Sequence, residues 1–159
     1  MELYLLRHGA AEDGRPGTSD SARQLTDEGR EKTASVLQAA RRAGVNPSLI
    51  LSSPYIRAKQ TADIAAKELQ YKGQVELIES LTPHGTEERV WADIRDYSEE
   101  PSVLLAGHEP LLSILAAYLL NAPSLRVDMK KSALIRIDCP TLGAVPYGVL
   151  RWMLVPKLF

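Results

Sequence analysis

Short apolar segments of the chain alternate with longer segments in which apolar residues recur at helical spacing. Strands are predicted at 2–6, 49–51, 75–78, 102–106, 132–138 and 148–155. Helices are predicted from Thr26 to about Gly44, from Pro54 to about Leu69, over 87–96 and over 110–121. Because strands alternate with helices, the pattern predicts an α/β fold: a three-layer sandwich with a mostly parallel central sheet and helices on both faces. The last two strands have no helix between them, so we expect them to be antiparallel.

The composition is that of a folded domain rather than of a disordered or fibrous chain. Of the 159 residues, 45% are hydrophobic and 25% are charged. This length suits one domain, so we expect residues 1–159 to form a single domain. The formal net charge of -1 gives the chain no global attraction to nucleic acid or to anionic membranes.

The sequence carries few signals of compartment. Cys139 is the one cysteine, so no internal disulfide can form. The amino-terminal residues lack the basic start and long apolar core of a signal peptide. The longest apolar stretch, near 111–120, is too short to span a bilayer. We therefore expect a cytoplasmic, soluble enzyme or binding domain without a membrane or nucleic-acid partner.

Chemically unusual residues follow three of the predicted strands. Arg7 and His8 end the first strand, and His108 ends the fourth. Ser53 follows the second strand, and Arg57 lies one turn into the next helix. Ligands of open α/β sheets bind beyond the carboxyl ends of the strands. If these strands are neighbours, two imidazoles and two guanidiniums converge on one pocket.

Such a set of side chains suits a phosphoryl group. Guanidinium forks match phosphate oxygens and stay charged at any working pH. Helix amino termini after the second and fourth strands would add oriented N–H groups. A neutral imidazole can attack phosphorus, and a second imidazole can donate a hydrogen bond to the equatorial oxygens. Because the arginines neutralise the charge, the chemistry requires no metal and no other cofactor.

Motifs in a fixed order give the chain a family resemblance. Residues 6–9, Leu-Arg-His-Gly, look like the signature of the histidine phosphatase superfamily, whose fold is phosphoglycerate-mutase-like. Residues 52–62 are similar to its second motif and residues 107–110 to its third. Residues 25–29, Leu-Thr-Asp-Glu-Gly, resemble the start of the family's first helix. The short length and residues 81–85, Leu-Thr-Pro-His-Gly, resemble more narrowly the SixA-type protein phosphohistidine phosphatases.

This resemblance implies roles for particular residues. His8 would be the nucleophile that carries the phosphoryl group. The residues that would bind the phosphoryl group are Arg7, Gly9, Arg57 and His108. The two arginines should lower the pKa of His8, since like charge disfavours the imidazolium. His8 must be neutral to attack whereas His108 acts as a donor, which predicts a bell-shaped pH profile with an alkaline limb set by His108.

A general acid is harder to assign. Larger members of the superfamily usually place a glutamate in the loop after the third strand, and Glu79 lies there without a motif to fix its register. Glu79 is therefore a candidate general acid. Phosphoimidazole with a protonated ring is a better leaving group than an alkoxide, so a carboxylic acid matters less for that substrate.

The predicted activity is a metal-independent phosphohydrolase with a phospho-His8 intermediate. The expected substrate is phosphohistidine on a protein, such as a phosphotransfer domain of a signalling relay or sugar-uptake system. The chain between Ile78 and Ser102 has room for one helix and its loops, so we expect an open groove rather than an enclosed pocket. Segments 10–24 and 79–86, with Lys130 and Lys131, would form its rim.

Several alternatives remain open at this point. The same site could serve a small-molecule phosphomonoesterase, or a non-catalytic module that binds phosphorylated partners. The intact nucleophile His8 argues against the second, since pure binding does not need it. Lys130 and Lys131 fit a solvated lead into a strand, and they also fit a surface that grips an acidic protein.

Overall fold

A computed structural model of the chain, described here for residues 1–158, has one six-stranded sheet with helices on both faces. The strands are β1 (Glu2–Arg7), β2 (Leu49–Ser52), β3 (Glu76–Leu77), β4 (Ser102–Gly107), β5 (Leu134–Asp138) and β6 (Val149–Leu154). The helices are α1 (Asp27–Arg42), α2 (Ile56–Glu68), α3 (Glu87–Asp96) and α4 (Leu111–Leu119). Short 3₁₀ turns cover Asp20–Ala22, Glu79–Leu81 and Pro156–Leu158. This architecture confirms the predicted α/β sandwich.

The strand order in the sheet is β3-β2-β4-β1-β5-β6. The pairs β1–β4, β2–β4 and β2–β3 are parallel. β5 runs antiparallel to β1, and β6 runs antiparallel to β5, which confirms the expectation for the last two strands. β1, β4 and β2 are therefore side by side, and their carboxyl ends share one edge of the sheet.

Alternating side chains of β1 supply both halves of the core. Leu3 and Leu5 belong to the apolar cluster that also contains residues of α3 and α4. Tyr4 and Leu6 belong to the opposite cluster, which contains residues of α1 and α2. Because successive strand residues point to opposite faces, a strand buried on both sides is apolar at every position.

Local chemistry explains where two of the helices begin. Thr26 caps α1, since its hydroxyl accepts a 3.0 Å hydrogen bond from the amide of Gly29. The second helix begins at Ile56 rather than at Pro54, because Ser53 accepts from the amide of Tyr55 and holds that stretch in a turn. The third strand is shorter than predicted: it covers 76–77, both exposed at the sheet edge, and the amide of Ile78 just after it still donates to the carbonyl of Ser52 at 2.9 Å. None of the helices within residues 1–158 is long and apolar enough to cross a membrane.

Candidate active site

Three adjacent strand ends bring the predicted residues together. Arg7 pairs with Gly107 at the last step of the β1–β4 ladder. The pairing continues past the strand, because the amide of His8 donates to the carbonyl of Gly107 at 3.0 Å. On the other side of β4, the amide of Ser53 donates to the carbonyl of Ala106, also at 3.0 Å. We call the side chains that meet here the strand-end cluster: Arg7, His8, Ser53, Arg57 and His108.

Hydrogen bonds at both ring nitrogens define the state of the His8 imidazole. Nδ1 lies 2.7 Å from the carbonyl oxygen of Gly9, which can only accept, so Nδ1 carries the proton. Nε2 then has a free lone pair, and the Nε–H of Arg57 donates to it at 3.3 Å. The ring is therefore neutral, with Nε2 unprotonated. The assignment follows from the partners of each nitrogen.

Burial is the largest cause of the low basicity of His8. The pKa of His8 is lowered from 6.5 to about 4, first by burial, against the opposing hydrogen bond to the Gly9 carbonyl, and then by the charges of Arg57, Arg7 and Lys131. The direction matches the sequence argument, but that argument named the arginines as the cause and omitted the larger effect of burial.

The second imidazole, His108, lies beside the first. The two ring centroids are 5.1 Å apart, and the ring of Tyr55 packs edge-on against His108 at 5.2 Å. Nε2 of His108 is 2.8 Å from the hydroxyl of Ser53. Burial, followed by the neighbouring His8 and Arg57, lowers the pKa of His108 from 6.5 to about 3.

This low pKa of His108 changes one expectation from the sequence. With this pKa, His108 is a neutral ring at pH 7, so any hydrogen bond that it donates comes from an imidazole N–H and not from an imidazolium. Because His108 has already lost its extra proton at pH 7, its titration does not account for an alkaline limb in the pH dependence of kcat/KM.

Two nitrogens of the cluster are buried without a hydrogen-bond partner in the described part of the chain. They are Nε of Arg7 and Nδ1 of His108. The rest of the Arg7 guanidinium is anchored, because its Nη1 donates to the carbonyl of Met129 at 2.6 Å. Buried polar atoms are normally paired, so unpaired nitrogens at a strand end point to a ligand that supplies acceptors.

Arg57 is held by Asp20, which lies in segment 10–24 and for which the sequence predicted no role of its own. Its Nη1 donates to the backbone carbonyl of Asp20 at 2.8 Å, and its Nη2 pairs with the Asp20 carboxylate at 3.0 Å. Burial alone would raise the pKa of Asp20, but the bonds and charges of Arg57 and Arg23 outweigh it and hold this pKa below its usual value. The guanidinium also lies 5.2 Å from the ring of Tyr55. Segment 10–24 therefore reaches the cluster, as expected of a rim.

Gly9 lies where there is no space for a side chain. A side-chain carbon at this position would lie 2.7 Å from Oγ1 of Thr33 and 2.8 Å from the carbonyl oxygen of Gly29. The amide of Gly9 donates to Thr61 Oγ1 at 3.2 Å, and Thr61 in turn donates to the carbonyl of Arg57. The chain after His8 is thus held against α1 and α2, which fixes the orientation of the imidazole.

Within residues 1–158, Glu79 and His84 make no hydrogen bond or ion pair with the strand-end cluster. Glu79 is exposed and lines a separate depression of about 540 Å³ together with residues of α3 such as Arg89 and Asp93. His84 is exposed as well. The carboxylate of Glu109 accepts from the amide of Ser113 at 2.9 Å, so it occupies part of the amino terminus of α4 that had been expected to face a phosphate.

Sequence reasoning missed the parts played by Ser53, Thr61 and Asp20. Ser53 had only been placed after the second strand, and its hydroxyl contacts His108. Thr61 lies within the second motif, four residues after Arg57, so helical spacing could have indicated that it faces the same way. Asp20 has no such signal, because it reaches Arg57 from a segment without periodicity.

Known proteins are similar to this chain in sequence and in fold. The family model of the histidine phosphatase superfamily (branch 1) matches residues 3–82. An uncharacterized protein of Picosynechococcus sp. is 34% identical over 139 residues, which cover 85% of this chain and 83% of that protein. The phosphohistidine phosphatase SixA of Escherichia coli (strain K12) is 29% identical over 158 residues, which cover 98% of this chain and 94% of SixA.

Solved structures agree with the sequence comparisons. A structure of the protein histidine phosphatase SixA complexed with tungstate superposes with a TM-score of 0.85 at 26% identity and covers 99% of both chains. The alpha-ribazole phosphatase of Shigella flexneri shares the fold, with a TM-score of 0.73 at 22% identity and 95% coverage of each chain. The chain therefore belongs to the histidine phosphatase superfamily (branch 1) and is an enzyme with phosphatase activity.

Proposed function

We propose that this phosphatase hydrolyses phosphohistidine on a protein and that His8 carries the phosphoryl group between two half-reactions. The observation that carries the proposal is the neutral His8 ring with its unprotonated Nε2, in a cluster where Nε of Arg7 and Nδ1 of His108 are buried without a partner among residues 1–158. The similarity to SixA over nearly the whole chain supports the choice of phosphohistidine as the substrate.

The first half-reaction transfers the phosphoryl group to His8. Nε2 attacks phosphorus while the N–P bond of the substrate breaks, and the substrate imidazole leaves as a neutral ring because its other nitrogen was already protonated. His8 keeps its Nδ1 proton, held by the Gly9 carbonyl at 2.7 Å. Phospho-His8 therefore carries the positive charge that the substrate ring gives up, and no proton has to move in this step.

In the second half-reaction water attacks the phosphorus of phospho-His8. The N–P bond breaks, its electron pair returns to Nε2, inorganic phosphate leaves, and the proton lost by the water goes to solvent or to the phosphate. Positive charge around the transferring group comes from Arg7 and Arg57, and Nδ1 of His108 can donate to an equatorial oxygen. These groups do the neutralising work that a metal ion performs in other phosphatases.

The position of Glu79 favours phosphohistidine over an alkyl phosphate ester. An alkoxide leaving group needs a proton from a general acid. Glu79 is exposed and lines a depression on the α3 side, and the protonated imidazole of phosphohistidine leaves without such an acid. The protonated ring of the substrate therefore makes unnecessary a general acid, which the strand-end cluster lacks among the residues described.

Turnover of two substrates tests the proposal. We would measure kcat/KM on a phosphotransfer domain phosphorylated on histidine and on an alkyl phosphate ester, 3-phosphoglycerate, whose alkoxide leaving group needs a general acid. We expect the phosphoprotein to be preferred, and His8→Ala to reduce its turnover by on the order of 10³-fold or more, because the nucleophile is lost. Lys72→Ala, which changes an exposed residue just after α2, is the control and should retain activity.

Trapping of the phosphoenzyme tests the proposed mechanism independently of the proposed substrate. A labelled phosphoenzyme should form with wild type and be absent in His8→Ala, and it should be labile in acid and stable in alkali, as an N–P bond is. Near wild-type turnover by His8→Ala would contradict the nucleophile. Efficient hydrolysis of a small phosphate ester with no action on the phosphoprotein would instead assign the site to small-molecule substrates.

A further inference from the structure

A wide groove opens beside the strand-end cluster on the β5–β6 side of the sheet. It has a volume of about 980 Å³. We call it the basic groove. The side chains that define it are Arg7, Lys32, Asp128, Lys130, Lys131, Met153, Val155, Pro156 and Lys157. These come from β1, α1, the loop before β5, and the end of β6 with the turn that follows it.

Charge is distributed unevenly over this groove. Five of the 19 lysines and arginines of the chain line it, against one of the 20 acidic residues, although the whole chain has a net charge of -1. Asp128 pairs with Lys130 at 2.6 Å, and Lys32 pairs with Glu28. Within residues 1–158, Lys131 and Lys157 form no ion pair, so the groove keeps an excess of positive charge.

The floor of the basic groove is apolar. Met153, Val155 and Pro156 are half-buried along it, below the lysines of the rim. An apolar floor with a basic rim complements an amphipathic surface whose polar positions are acidic. A concave shape favours a protruding protein element over a flat lipid surface.

The basic groove is continuous with the proposed catalytic site. Arg7 belongs to both. The amide of Ser132, in the loop that carries the groove lysines, donates at 3.2 Å to the carbonyls of Arg7 and His8. A partner protein with one helix in the groove would therefore have its adjacent surface next to His8. A phosphohistidine projecting from that surface could reach Nε2.

We propose that the basic groove docks an acidic, amphipathic helix of the protein that bears the phosphohistidine. This inference rests on the proposed function and adds to it the kind of partner surface. Apolar residues of the helix would pack on Met153, Val155 and Pro156, and its acidic residues would meet the lysines of the rim. Docking would raise affinity and association rate for the phosphoprotein without taking part in the chemistry.

Charge reversal away from His8 tests the groove. The double variant Lys130→Glu/Lys157→Glu changes two rim lysines and leaves Arg7 and Lys131, whose charges act on His8, in place. The matched control is Lys67→Glu/Lys72→Glu, which makes the same change of net charge at exposed positions near the far end of α2. We would measure kcat and KM on an acidic phosphotransfer domain phosphorylated on histidine and on free phosphoimidazole.

We expect the groove variant to raise KM for the phosphoprotein at least about tenfold, as for close charge pairs across an interface. Its turnover of phosphoimidazole should stay within about twofold of wild type, and the control should match wild type on both substrates. Added salt should weaken phosphoprotein turnover by wild type and have less effect on the groove variant. A phosphoprotein in which acidic helix residues are changed to lysine should recover activity with the groove variant.

Each other outcome overturns the groove assignment in a distinguishable way. Equal phosphoprotein kinetics in the groove and control variants would show that the groove is not a docking surface. Equal losses on both substrates would show damage to the site rather than to docking. Binding of wild type to phosphatidylglycerol vesicles that is lost in the groove variant, with unchanged phosphoprotein kinetics, would assign the groove to lipid. Absence of phosphohistidine turnover in wild type would remove the proposed function itself, and the docking inference with it.

Discussion

The buried, neutral state of His8 should make the protein sensitive to mild acid. In the unfolded chain the imidazole titrates near its ordinary value of 6.5, whereas in the folded protein its pKa is lowered to about 4. Below pH 6.5 the unfolded state binds a proton that the native state does not bind, so stability falls with pH. This loss begins near pH 6.5 and continues until the native pKa is reached.

The size of this effect follows from the two pKa values. Because one pKa unit corresponds to about 1.4 kcal/mol, His8 alone should remove about 2 kcal/mol from the free energy of unfolding between pH 7 and pH 5. The ring is 7% exposed, so solvent screening does not reduce this value much. His108, with a pKa lowered to about 3, should contribute a comparable loss.

Urea unfolding of wild type and His8→Gln at pH 7 and pH 5 measures the contribution of His8. Glutamine has no titrating group, so the variant should lose about 2 kcal/mol less than wild type over the same change of pH. His84→Gln, measured in parallel, is the matched control for removal of a histidine. The comparison uses differences within each protein, so a change in absolute stability of the variant does not affect it.

Equal acid-induced losses in wild type and His8→Gln, within about 0.5 kcal/mol, would refute the reasoning. Nitrogen NMR of the wild-type imidazole gives an independent check that does not depend on a variant folding. At pH 5.5 the Nε2 resonance of His8 should be that of an unprotonated nitrogen and Nδ1 that of an N–H. A protonated Nε2 at this pH would contradict the hydrogen-bond pattern.

Three further perturbations have defined expectations. Arg57→Lys keeps a charge but loses the guanidinium fork that reaches His8 and Asp20, so kcat/KM on phosphohistidine protein should fall on the order of 10²-fold. A loss below about threefold would show that Arg57 has only a structural role. Gly9→Ala places a carbon 2.8 Å from the Gly29 carbonyl, so calorimetry should show destabilisation of about 1–3 kcal/mol. An unchanged Tm would show that α1 shifts away from the new carbon without a loss of stability. Dialysis against a chelator should leave turnover unchanged, since the arginines supply the charge; loss of activity restored by a divalent cation would disprove this.

The strand ends could be predicted from the sequence because each has a local cause. A buried strand is a continuous apolar run, and the polar residues after it mark where the run stops. Arg7, His8 and His108 were therefore placed by pattern alone. Their convergence needed one more fact, the adjacency of β1, β4 and β2, which short-range pattern does not contain.

Other features depend on tertiary packing and had no signal in the sequence. Asp20 reaches Arg57 through a loop carbonyl and a carboxylate, and its segment has neither periodicity nor motif. Burial dominates the pKa of His8 and His108, and burial follows from the layers around them rather than from their neighbours in the chain. The third strand was predicted too long at both ends, since only Glu76 and Leu77 of the predicted 75–78 form the edge strand.

The bond between Nδ1 of His8 and the Gly9 carbonyl has a consequence for regiochemistry. Imidazole can be phosphorylated on either nitrogen, which gives two isomers with distinct phosphorus and proton spectra. A carbonyl that occupies Nδ1–H at 2.7 Å leaves Nε2 as the atom able to accept phosphorus. On the proposed mechanism the enzyme intermediate is therefore a pure tele isomer, selected by the backbone of the residue that follows the nucleophile before any substrate arrives.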